Sequence, residues 1–239
     1  MLIGILETGR PAEALKAHGS YPQLFERLLG AESGDFTFRT YPVIDGDVPR
    51  DPHECDAWLV TGSRHGAYER LPWMLETEEL LRKAVAAKVP VIGICFGHQL
   101  LAQALGGKVV KSDKGWGFGL HDYQLTDGPV QSLTLSALHQ DQVVEVPVGG
   151  RVLGGSDFCP NAVIAYGDTA LTFQGHPEYD IRWMRDAAAT RMKGVAPEEV
   201  LAAAEDSFRQ KQSDSSLVAN WIANFLRDTA KARPAAAAE

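Results

Sequence analysis

The chain has 239 residues, 45 % hydrophobic and 23 % charged, enough apolar material for one large α/β core or two small ones. A formal net charge of −8 argues against bulk attraction to nucleic acid or an anionic membrane surface. No run of about 18 apolar residues is present to cross a bilayer. Three scattered cysteines, Cys55, Cys95 and Cys159, are too few for a disulfide framework or a zinc knuckle, so a reduced, cytoplasmic setting is expected.

Residues 2–6 form a short apolar run without a basic flank and read as a first strand, not a signal peptide. Pro11 opens a helical pattern reaching to about residue 29. Residues 36–43 alternate as a strand, residues 57–61 form a short buried strand, and Pro72 opens a helix through residue 88. Residues 89–94 form an apolar strand that breaks at Cys95 and runs into an amphipathic helix ending at Gly106-Gly107. Strands and helices alternating with such short connections predict right-handed βαβ units and a mostly parallel sheet. From residue 108 the character changes to short β-rich runs at 109–110, 119–125 and 132–138. Residues 152–175 continue that style, with a hairpin turn at Tyr166-Gly167-Asp168. Residues 180–231 read as about three helices, broken near Gly194 and at 213–216. The Ala-rich end, 233–239, is expected to be a disordered tail. The reading is α/β: a twisted, mostly parallel central sheet flanked by helices with an antiparallel β addition, one domain over 1–232 with a C-terminal helical extension from about 180.

Gly93-Ile94-Cys95-Phe96-Gly97 has the form Gly-x-nucleophile-x-Gly, which sets a reactive side chain on a tight strand-to-helix turn. The helix N-terminus beside the sulfur favours thiolate over thiol. An inert buried thiol is the bland alternative, and it is the reading preferred for Cys55 and Cys159. A thiol nucleophile needs a base nearby in space. Among seven histidines His176 stands out, because Phe173-Gln174-Gly175-His176-Pro177-Glu178 ends a strand with histidine and carboxylate two residues apart across a proline. In extended chain, positions i and i+2 project to one side, so Glu178 can orient the His176 imidazole. A helix start with a capping carboxylate is the competing reading. Elbow geometry assigns one oxyanion donor to the Phe96 N–H. The loop after the preceding strand, Thr61-Gly62-Ser63, offers the second at Gly62.

The stretch GICFGHQLLAQALGG, followed some eighty residues later by FQGHPE, resembles the class I (triad) glutamine amidotransferases, whose fold is flavodoxin-like. The resemblance covers residues 2–179. It implies Cys95 as nucleophile, His176 as general base and acid, and Glu178 as its orienter in hydrolysis of a γ-glutamyl amide through a thioester. It also implies substrate contacts at Gln99, Ser63, Trp116 and Gly117, and no metal or organic cofactor. His98 reads as structural. His139-Gln140-Asp141 is either a pocket element or a solvated hairpin turn.

The loop Thr-Gly-Ser-Arg-His-Gly-Ala-Tyr at 61–68 departs from the Ser-Gly-Gly-Pro type of many family members. It is closer to the stand-alone GMP-synthase-like group and the γ-glutamyl peptidases. Arg64, His65 and Tyr68 on it are expected to shape leaving-group choice. The expected ligand is glutamine or a γ-glutamyl small molecule. Three readings stay open: a self-contained γ-glutamyl peptidase, delivery of ammonia to a separate synthase subunit, or a catalytically degenerate binding module. A homodimer formed through the C-terminal helices is a further possibility, and neither nucleic acid nor membrane is an expected partner.

Overall fold

A computed structural model describes residues 1–32 and 35–232. The expected tail at 233–239 lies outside the described residues. Nine strands form one sheet in the order β2-β1-β3-β4-β11-β10-β9-β6-β7. Its parallel half comprises β1 (Leu2–Leu6), β2 (Thr37–Tyr41), β3 (Ala57–Val60), β4 (Val91–Ile94) and β11 (Ala170–Phe173). The antiparallel half adds β6 (Gly117–Leu125), β7 (Ser132–His139), β9 (Gly150–Gly155) and β10 (Val163–Tyr166). Two further strands, β5 (Lys108–Lys111) and β8 (Asp141–Glu145), pair in a small sheet of their own.

The period-two pattern of the parallel strands sorts their side chains onto two faces. Ile3, Ile5, Leu59, Ile92 and Ile94 face α1 (Tyr21–Glu32) and α6 (Ser215–Ala232), which supply Phe25, Leu29, Val218, Ile222 and Leu226 to that core. Leu6, Trp58, Val60 and Val91 face α2 (Pro72–Ala86) and α3 (Phe96–Ala104), with Leu80, Leu81, Leu100 and Leu101. A third cluster packs Phe118, Leu120 and Leu138 of the antiparallel half against Trp183 of α4 (Ile181–Ala189) and Phe208 of α5 (Glu198–Gln210). The C-terminal helices thus lie over the sheet. No helix among the described residues is long and apolar enough to cross a membrane.

Two expectations need correction. The helix read from Pro11 to residue 29 is two elements: a 3-10 helix at Glu13–His18 stops where Gly19 takes φ 98°, and α1 starts only at Tyr21. Glycine adopts that left-handed backbone without the Cβ clash other residues meet. The segment after His139 is indeed a tight turn, but it does not close a hairpin, because β8 pairs with β5 and not with β7.

In an open parallel sheet, ligands collect outside the carboxyl ends of strands, at the point where strand order reverses. From β1 the chain crosses to β2 on one side and to β3 on the other, so the reversal lies between β1 and β3. The carboxyl ends of β3, β4 and β11 lead directly into Gly62, Cys95 and His176.

Candidate active site

Cys95 is the residue between β4 and α3, held at φ 52° and ψ −100°. Positive φ in a non-glycine residue costs about 1–3 kcal/mol and persists only where the surroundings enforce it. They do so here. The Cys95 N–H donates to the Phe173 carbonyl of β11 at 2.8 Å, and the Cys95 carbonyl accepts from the Gln99 N–H at 3.0 Å. The flanking glycines are there for space: a methyl at Gly93 would lie 2.7 Å from the Gly97 carbonyl, and one at Gly97 would be driven into the Val60 carbonyl oxygen.

His176 follows β11. Its N–H donates to the Ser136 carbonyl at 2.8 Å, and its ring Nδ1 lies 2.6 Å from Glu178 Oε1 with both side chains almost wholly buried. The imidazole stacks on Tyr179 at 4.3 Å, and Tyr179 stacks on Trp183 at 3.6 Å, so the ring plane is fixed from behind. Nε2, on the opposite edge, has no hydrogen-bond partner among the described residues. Burial alone would depress the pKa of this ring. The charges of Glu178 and then Cys95 outweigh it and raise the pKa to about 10. Those charges favour the imidazolium form of His176. Gly62 sits where the two side chains converge: a Cβ there would be 3.1 Å from His176 Cε1 and 4.0 Å from Cys95 Cβ. Neither the Gly62 nor the Phe96 N–H donates a hydrogen bond within the described residues.

Cys95 opens onto a cavity of about 250 Å³. Ser63, Arg64, His65, Tyr68, Gln99 and Trp116, all singled out from sequence, line it with Cys95. The loop carrying Arg64 to Tyr68 is tied down locally. Glu69 accepts from the Gly66 N–H at 2.7 Å and meets His65 Nδ1 at 2.9 Å, and the Tyr68 hydroxyl donates to Asp141 Oδ1 at 3.2 Å. Gln99 Nε2 donates to the Asp141 carbonyl at 2.9 Å and to Gln174 Oε1 at 3.1 Å, leaving Oε1 without a partner among the described residues. His139 and Asp141 also line the cavity, which decides between the two readings of that segment.

Gly117 is placed differently from Trp116. A side chain there would strike Phe158 at 2.6 Å and approach His139 Nε2 at 3.3 Å, so Gly117 lies behind the lining and not on it. His98 is buried away from the cavity, with Nδ1 in a hydrogen bond with Thr172 Oγ1 at 2.8 Å. Burial pulls its pKa down to about 3, as it does for His139. Cys55 and Cys159 are buried free thiols, Cys159 pushed up to about 12 by burial. Sequence reading missed Lys111, Glu69 and Arg191 in the lining, and Gln174 as the partner of Gln99. Only Gln174 belongs to a motif that the sequence marks out. Among the described residues no group of three or more His, Cys, Asp or Glu side chains is arranged to hold a metal ion.

Comparison with known proteins fits this geometry. The pattern describing the family "Glutamine amidotransferase class-I" matches residues 53–189. The chain is 31 % identical over 223 residues to gamma-glutamyl peptidase 2 of Arabidopsis thaliana, covering 88 % of this chain and 89 % of that protein. It is 32 % identical over 180 residues to gamma-glutamyl peptidase 4 of the same plant, over 70 % of this chain and 71 % of that one. Its fold matches the crystal structure of a glutamine amidotransferase from Methylobacillus flagellatus with a TM-score of 0.74 at 22 % identity, covering 100 % and 98 % of the two chains. The chain belongs to the class I glutamine amidotransferase family.

Proposed function

We propose that the protein hydrolyses a γ-glutamyl amide, with Cys95 as nucleophile, His176 as proton carrier and Glu178 as the group that orients and charges His176. The observation that carries this reading is a strained cysteine opening onto a cavity, with a buried, carboxylate-paired histidine beside it. The Cys95 thiolate attacks the γ-carbonyl carbon, forming a C–S bond and placing negative charge on the carbonyl oxygen. The uncommitted Gly62 and Phe96 N–H groups are the donors for that oxygen; each such donor is worth roughly 3–4 kcal/mol of transition-state stabilisation. The C–N bond then breaks as the His176 imidazolium gives its Nε2 proton to the leaving nitrogen. Water attacks the resulting γ-glutamyl thioester, His176 takes up its proton, and glutamate leaves with the thiolate restored. Gln99 Oε1 and the Trp116 ring are the head-group contacts, with Ser63, Arg64, His65 and Tyr68 facing the cavity from the loop.

Two leaving groups suit this chemistry: ammonia from glutamine, passed to a separate synthase, or the amine of a γ-glutamyl peptide. Similarity to gamma-glutamyl peptidase 2 over nearly the whole of both chains favours the peptide amine. Purified protein should release glutamate from a γ-glutamyl dipeptide faster than from glutamine. Hydroxylamine should divert the acyl group to γ-glutamyl hydroxamate, and Cys95→Ser should abolish both products. Full activity in Cys95→Ser would overturn the mechanism. Absence of turnover on every γ-glutamyl compound would leave only a binding role.

A further inference from the structure

Three cations line the cavity that holds Cys95: Arg64, Lys111 and Arg191. None of the three forms an ion pair or side-chain hydrogen bond among the described residues, but the charges of two of them act on a carboxylate of the same cavity. The charge of Arg64 acts on Glu69, and Lys111 is the register partner of Asp141 across β5 and β8. Arg191 has no such neighbour. Among the described residues it forms no ion pair or hydrogen bond, and the groups its charge acts on are the phenols of Tyr21 and Tyr179. A guanidinium left half-buried at a cavity wall without an anion is set up for bidentate binding of a carboxylate from a ligand.

The position of Arg191 indicates which carboxylate. Tyr179 is the ring stacked on His176, so Arg191 approaches from the His176 side of the site. Gln99 and Asp141 are contributed by other elements, α3 and β8, whereas Trp116 packs against the Tyr179–Trp183 cluster on the Arg191 side. In the reaction proposed above, the leaving nitrogen must come to His176 Nε2 to be protonated, so whatever that nitrogen carries extends on the same side. Arg191 also lies two residues beyond the stretch that matches the family pattern, in the turn after α4.

We propose that Arg191 is a specificity-determining residue that binds a carboxylate carried by the leaving amine, so that the preferred substrates are γ-glutamyl amino acids or short peptides with a free carboxylate close to the scissile amide. This rests on the γ-glutamyl hydrolase reading and assigns the C-terminal extension a part in substrate choice.

The test compares γ-glutamylglycine with γ-glutamylglycinamide, which differ only in that carboxylate, for wild type, Arg191→Met and Arg191→Lys. Wild type should favour the acid by about 10- to 100-fold in kcat/KM, the size expected of a charge-assisted contact. Arg191→Met should bring the two substrates to within about twofold of each other, mainly through a higher KM for the acid and with a smaller effect on the amide. Arg191→Lys, which keeps the charge and the fold, should restore part of the preference. Equal loss on both substrates would overturn the proposal, because that is the signature of binding the glutamyl α-carboxylate or of structural damage. An unchanged preference in Arg191→Met would overturn it too. Absence of glutamate release from either compound by wild type would instead refute the hydrolase reading on which it rests.

Discussion

Glu178→Gln isolates the electrostatics of the site, because the amide keeps an acceptor oxygen for His176 Nδ1–H and removes only the charge. The protein carries its own controls. His98 and His139 are as buried as His176 but lack a side-chain carboxylate on the ring, and both are held down at about 3. His176 stands at about 10 because Glu178 and Cys95 outweigh the same burial penalty, Glu178 with the larger charge effect. In the variant that charge is gone, burial is opposed mainly by Cys95, and the preference of His176 for the imidazolium falls. Losing that preference removes the proton His176 must give to the leaving nitrogen, and kcat should fall about 10²- to 10⁴-fold. The sign of the stability effect follows from linkage. A folded pKa raised above the ordinary 6.5 gives stabilisation that is complete below 6.5 and is lost as pH rises through about 10. Urea midpoints of the wild type should therefore decline between pH 6.5 and 10, and those of Glu178→Gln should decline much less over that window. NMR titration of ring-labelled histidine would read the shift directly. If Glu178→Gln kept both the wild-type kcat and the wild-type slope of stability with pH, the account of His176 would be refuted.

Two further outcomes are expected. Gly97→Ala should lower the free energy of unfolding by about 1–3 kcal/mol in urea titrations, since the new methyl meets the Val60 backbone and not a yielding side chain. Gly30→Ala on the exposed surface of α1, where a methyl meets nothing within 4 Å, should be neutral or stabilising by up to about 1 kcal/mol; similar effects at both sites would contradict the steric origin of the elbow. On the acid side the buried neutral histidines dominate: depressed folded values mean stability present above 6.5 and lost as pH falls toward about 3. Calorimetry between pH 7 and 4 should show a falling Tm, with a shallower slope in His139→Gln. Equal slopes would mean that His139 is not a buried neutral group.

The parts of this site that were legible in the sequence are those determined within a few residues of chain. Gly93 and Gly97 announce the elbow because only a residue without a Cβ fits against a backbone that turns so tightly. His176 and Glu178 announce each other by their spacing across Pro177, although Pro177 and Glu178 form a turn and not the extended chain expected, and that turn brings Nδ1 and Oε1 to 2.6 Å. The alternation of strands and short-looped helices likewise pointed to a mostly parallel sheet flanked by helices, and α1, α2, α3 and α6 cover its two faces. The split of the first helical stretch at Gly19 was less visible, since a lone glycine in a periodic pattern is often tolerated.

What stayed hidden depends on pairing between distant segments. Lys111 and Asp141 become neighbours only because β8 leaves β7 and joins β5, a choice of partner that no local pattern in either strand records. β11 is antiparallel to β10 yet parallel to β4, and this double pairing carries the His176 segment to the carboxyl end of the strand that leads into Cys95. Arg191 is the extreme case. Nothing around it in the sequence distinguishes it from Arg182 or Arg185, which pair with Asp180 and Glu205 on the exposed surface. It reaches the cavity because α4 is locked by Trp183 against Tyr179, and Tyr179 against His176, so the turn after the helix is delivered to the wall of the site. The chemistry of an acyl transfer is written where the chain must be strained. On the proposed function, choice among substrates falls instead to side chains such as Arg191, on elements that packing brings to the rim.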